Sequence, residues 1–168
     1  MTNKQVVRAP VFIPQKIVFE TMGGELSILP DGKYNPEPLK SLAKDHGVPA
    51  TILVDKNVPK GVNEAEVHRH EADLWICIDG EVHFIVGGEM VEPWAKKNPD
   101  GSINDKEIKA KEIRNGTEHT LRTGDVLYIP EGNPHVHFTE GTAAARLWII
   151  KIPARSEVPL TSVPGWQE

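Results

Sequence analysis

Apolar positions in this chain mostly recur at every second residue. They come in short runs broken by glycine and proline, the mark of strands joined by turns. Residues 50–54, 126–129, 136–139 and 144–152 read as strands, and 66–70 alternates charged with other side chains. The run 74–78 is apolar throughout, which predicts burial on both faces, and Asp79-Gly80 after it predicts a hairpin into a strand over 81–86. Shorter strands are expected at 11–13, 16–19 and 25–29, punctuated by Pro10, Pro14 and Pro30. One stretch departs from this period. Leu39, Leu42 and Ala43 recur at helical spacing, which predicts a short helix over 36–46, with Asn35 as cap, Pro36 in the first turn and Gly47 at the end. Residues 89–110 carry Pro93, Pro99, Asp100-Gly101 and many charges, and predict a long hairpin loop of the kind that often serves as a lid. The tail over 158–166 reads as an arm for a partner subunit or as a frayed end. Many short strands with a single helix argue for an all-β sandwich or barrel.

Composition narrows the function classes. A chain of 168 residues fits one domain able to bury a core without staples. Its formal net charge of −5 argues against nucleic acid, which needs a basic patch. Lys106, Lys109, Lys111 and Arg114 come nearest to one, but Asp105, Glu107 and Glu112 interleave with them. Cys77 is the only cysteine, so no intramolecular disulfide forms, which suits a reducing compartment. The first residues hold no apolar run of signal-peptide type, and nothing approaches a continuous membrane span. A cytoplasmic location without membrane contact is the expectation.

Two clusters carry chemistry. In His68-Arg69-His70 an extended backbone would put both imidazoles on one face, a start for a metal site. In the stretch 124–135 a glycine, a strand, the Pro130-Glu131-Gly132-Asn133-Pro134 turn and His135 follow one another, so a third imidazole can arrive from a neighbouring strand.

Together these clusters resemble the two motifs of the cupin superfamily. Gly124, Pro130, Gly132 and His135 match the second motif's spacing, and His68, His70 and Gly80 fit the first. The resemblance implies a single double-stranded β-helix (cupin or jelly-roll) barrel over about 50–152, with an N-terminal extension 1–49 bearing the short helix, and a C-terminal tail 153–168. It also implies one divalent transition metal ion (Fe, Mn, Ni, Co or Zn) held by His68, His70, His135 and a carboxylate. Three departures stand out. The motif glutamate, seven positions before Gly80, is Asp73, only two residues after His70; Glu71 or water could complete the site instead, although parity sets Glu71 on the opposite face. Gly61 lies one residue off the opening glycine, and Thr139 replaces the closing asparagine.

The implied function is a metal-dependent enzyme acting on a small organic molecule at open metal positions, with dioxygenase chemistry as one reading. A non-redox isomerase, epimerase or lyase is the alternative, with His137, Glu66 or Tyr128 as candidate proton-transfer residues by position. A non-enzymatic barrel that binds a small ligand or metal is the third reading. A homodimer is expected from the habit of the family. Cys77, four residues from Asp73, reads as a buried apolar residue and not a ligand.

Overall fold

The computed structural model describes residues 9–14, 16–17, 31–140 and 144–167. Among these the two-residue pattern becomes twelve strands. They are β1 (Gly32–Tyr34), β2 (Ala50–Lys56), β3 (Ala65–His68), β4 (Glu71–Val86), β5 (Glu89–Met90), β6 (Trp94–Lys97), β7 (Ile103–Ala110), β8 (Ile113–Arg114), β9 (Thr117–Arg122), β10 (Val126–Ile129), β11 (His135–Phe138) and β12 (Ala144–Pro153). All pairings are antiparallel. One sheet runs β1-β2-β12-β4-β10 through the first half of β4. The other runs β9-β4-β11-β3-β7-β6 through its second half. β5 and β8 form a separate ribbon. The result is an all-β jelly roll.

Alternation sorts the side chains into three layers. Leu53, Trp75, Cys77, Phe84, Leu121 and Leu147 belong to the core between the sheets. Their neighbours Ile52, Val54 and Trp148 face outward, under helix α1 (Leu39–His46). Ala65, Val67 and Ile108 face outward from the second sheet, and Val163, Leu160 and Trp166 of the tail cover them. The tail therefore packs on its own barrel and is not a free arm.

Other expectations change too. Residues 74–86 do not form a hairpin at Asp79-Gly80. They belong to one 16-residue strand that passes from the first sheet to the second. Its register against β12 jumps between Arg146 and Leu147, which leaves Ile78 as an extra residue, and Gly80 takes φ +84°, open to a residue without a Cβ. The turn signal thus bends a strand without reversing it. The helix begins at Leu39 after Pro38, later than 36, and Gly47 ends it in the left-handed region at φ +68°. Residues 89–110 are not one long loop but contain β5, β6 and β7. β6 and β7 form a hairpin that extends the second sheet beside β3. No strand forms at 11–13, and the strands expected at 16–19 and 25–29 lie wholly or partly outside the described residues. No helix is long and apolar enough to cross a membrane among the described residues.

Leu147 is fully buried between the sheets. Leu147→Ala should cost about 2–5 kcal/mol of stability, read from the shift of the urea unfolding midpoint.

Candidate metal centre

In β3 the outward Ala65 and Val67 alternate with inward Glu66 and His68. β11 antiparallel to it pairs His135 with Glu66. Asp73 enters from the facing sheet on β4. One donor atom from each of Glu66, His68, Asp73 and His135 lies within 4.8 Å of all the others. Four of the separations are nearly equal. His68 Nε2 is 3.6 Å from both Glu66 Oε1 and Asp73 Oδ2, and His135 Nε2 is 3.4 and 3.5 Å from the same two oxygens. Ligands about 2.1 Å from a tetrahedral ion stand about 3.4 Å apart, so the group has the span of a coordination shell.

Two further observations fit a divalent metal. His135 Nε2 and Asp73 Oδ2 are buried and make no close hydrogen bond among the described residues; they face each other across a 3.5 Å gap that a cation between them would fill. His135 Nδ1 lies 3.2 Å from the Asn133 carbonyl oxygen, which can only accept. That contact places a proton on Nδ1 and turns Nε2 toward the group as a ligand atom. The turn before β11 is tied to β3 as well, since the Gly132 amide donates to the His68 carbonyl at 2.8 Å.

Electrostatics reflect the crowding. Burial alone would raise the Glu66 carboxyl, yet the facing His135 imidazole outweighs it and holds Glu66 well below the usual carboxylate range. The same balance, with His135 and the Lys151 ammonium against burial, lowers Asp73. Burial opposes charge on His135, but Asp73 and Glu66 overcome it and lift the imidazole to about 9.

The structure groups His68, Asp73 and His135 but puts His70 elsewhere. β3 ends at His68 and the chain bends at Arg69 and His70, so the alternation that would align His70 with His68 stops there. Arg69 is buried and anchors this bend outward, with Nε on the Val158 carbonyl at 2.8 Å and Nη1 on Asp105 Oδ2 at 2.6 Å. His70 Nε2 lies 3.5 Å from Glu157. Glu66, expected only as a proton-transfer candidate, takes the vacated place. Sequence held a signal for it. The family spacing allows four residues between the second motif histidine and the carboxylate, and counting back from Asp73 lands on His68, with Glu66 two earlier.

Among the other candidates, Glu71 stays outside the group, 4.0 Å from His68 Nδ1. Tyr128 is exposed on β10, away from the interior. His137 shares the inward face of β11 with His135, and its Nδ1 is 2.6 Å from Asp55 Oδ2. Cys77 is buried with its thiol pushed up to about 11 by desolvation, unsuited to ligation. Thr139 keeps a hydrogen-bonding role, its hydroxyl accepting from the Val58 amide at 2.9 Å.

A jelly-roll barrel with imidazoles and carboxylates converging inside it is a metal-binding cupin. The profile of the JmjC domain matches residues 52–156, well over half of the chain, and the chain belongs to that family. No curated protein matches the sequence. Several solved structures do. BH2720 from Bacillus halodurans is 14% identical, over 65% of this chain and 64% of its own, with a TM-score of 0.42. Hydroxypropylphosphonic acid epoxidase from S. wedmorenis is 15% identical, over 62% and 43%, at 0.43. TT1209 from Thermus thermophilus is 18% identical, over 63% and 72%, at 0.41. The matched region spans less than two thirds of the first two chains.

Untagged protein should bind about one equivalent of divalent metal, with affinity reduced more than about a hundredfold in His135→Ala, beyond the cost of losing an outer partner. In His70→Ala affinity should be nearly unchanged, as read by equilibrium dialysis and metal analysis. In metal-free protein, His135 paired at a raised pKa stabilises the fold fully below its ordinary value and loses that contribution as pH rises through about 9. The depressed Glu66 and Asp73 stabilise above their ordinary values and lose that as pH falls. Urea midpoints should therefore peak in the mildly acidic range, and His135→Gln should flatten the alkaline limb.

Proposed function

We propose that the protein is a metal-dependent enzyme acting on a small organic molecule, with dioxygenase chemistry as the first reading. The observation that carries it is the group of two imidazoles and two carboxylates, of which Glu66 and His135 line a cavity of about 390 Å3. Two histidines with two carboxylates suit non-haem Fe(II), and an octahedral shell on such an ion would leave positions open beyond these four donors. A divalent ion held by these residues would supply Lewis-acid or redox chemistry to whatever enters the cavity.

The chain's own side chains do the rest. Leu53, Asn63, Lys109 and His137 line the same cavity and would position the guest. Lys109 holds Glu66 Oε2 at 2.6 Å and Glu107 Oε1 at 3.1 Å, which leaves Glu66 Oε1 to face the histidines.

A non-redox isomerase or lyase is the second reading, favoured by the Asp55–His137 pair. Asp55 fixes Nδ1 of a ring that stands 5.2 Å from Trp75 and 5.8 Å from Phe84. Nε2, the other nitrogen of this cavity-lining ring, is the atom a carboxylate-oriented histidine uses to move a proton.

The test is turnover of a panel of small organic acids by iron-loaded protein in an oxygen electrode. Substrate-dependent oxygen uptake matching turnover is the expected result. Turnover without oxygen uptake, reduced about a hundredfold or more in His137→Gln, would select the second reading. Absence of turnover with every metal tried would refute an enzymatic role.

A further inference from the structure

Lys151 lies on β12 directly across from Asp73 on β4, both facing the interior. Its Nζ donates to Asp73 Oδ1 at 2.7 Å and to His68 Nε2 at 2.7 Å. Glu71 Oε1, outside the ligand group, is 3.5 Å from the same ammonium. A ring nitrogen has one lone pair. While His68 Nε2 accepts from Lys151 it cannot ligate a metal, and an ion about 2.1 Å from that nitrogen leaves no room for an ammonium on the same lone pair. Like charge adds to the exclusion.

On these grounds, and resting on the metal-site reading above, we propose that Lys151 is a tethered cation occupying the metal-binding nitrogen of His68 in the metal-free protein, displaced toward Glu71 when metal binds. Three features support the arrangement. The ammonium selects the His68 tautomer that ligation requires, with Nε2 unprotonated. It neutralises the buried Asp73 when no ion is present, and such a carboxylate is costly to leave unpaired. Its bond to Oδ1 can survive loading, because Asp73 Oδ2 is the oxygen that faces the histidines. Glu71, which no other part of the site uses, supplies the second partner for the displaced ammonium. The buried Asp73 is then never left without a cation, and only ions that bind nitrogen and oxygen donors strongly displace the lysine.

The experiment is titration of untagged protein with Co(II) against a chromophoric chelator, for wild type, Lys151→Met, Glu71→Gln and the double variant. Lys151→Met should bind Co(II) roughly ten- to hundredfold more tightly, the scale of a lost charge-assisted hydrogen bond. Glu71→Gln should bind several-fold more weakly, and this loss should largely vanish in the Lys151→Met background. In wild type, reductive methylation of Lys151 read by mass spectrometry should speed up several-fold on loading. Lys151→Gln, scored by the same titration and by thermal unfolding with and without metal, covers a folding defect in Lys151→Met. Unchanged or weaker Co(II) binding in both lysine variants would overturn the proposal, as would a Glu71→Gln loss of equal size in either background. If wild type and all variants bind no Co(II), the metal-site reading itself falls. Binding in wild type without a lysine effect refutes only the displacement.

Discussion

Two carboxylates, Asp73 buried and Glu66 half-buried, packed against two buried imidazoles are the constraint on which the interior of this barrel depends. Anions inside a protein are tolerated only with compensating charge and hydrogen bonds. Glu66 and Asp73 meet that demand from opposite sheets. Lys109 takes the outer oxygen of Glu66, Lys151 takes the outer oxygen of Asp73, and the inner oxygens face the two histidines. The arrangement requires the sheets to face each other at the right depth. The apolar core of Trp75, Phe84, Leu121 and Leu147 provides that spacing in the rest of the interior.

The segment between residues 89 and 110 has a structural part in this chemistry. β7 pairs with β3 and brings Lys109 opposite Glu66 in register. The tail does similar work from outside, because Val158 and Glu157 hold Arg69 and so help end β3 just after His68. The bend that sends His70 outward belongs to the same set of contacts as the one that leaves His68 inside.

The sequence disclosed some of this and concealed the rest for identifiable reasons. The stretch 124–135 was legible because its proline and glycine chemistry fixes a turn, and the residue after that turn had to begin a strand. Residues 65–70 were harder. Alternation tells which residues share a face while a strand lasts, but not where it stops, so His68-x-His70 looked as good as Glu66-x-His68. Only tertiary contacts to Asp105, Glu157 and Val158 decide between them. Asp79-Gly80 misled for a related reason. A glycine with positive φ serves a hairpin or a bent strand equally well, and the bulge at Ile78 that goes with the bend is visible only in the register against β12. Lys151 carried no sequence signal, since one lysine near the end of an apolar strand looks like an ordinary solvent-facing residue.

X-ray absorption at the metal edge of untagged, loaded protein tests the central claim most directly, because imidazole rings give a distinct multiple-scattering signature. Ligation by Glu66, His68, Asp73 and His135 predicts two imidazoles with the remaining donors oxygen, and an unchanged spectrum in His70→Ala. Three imidazoles, one of them lost in His70→Ala, would contradict the account and return His70 to the metal.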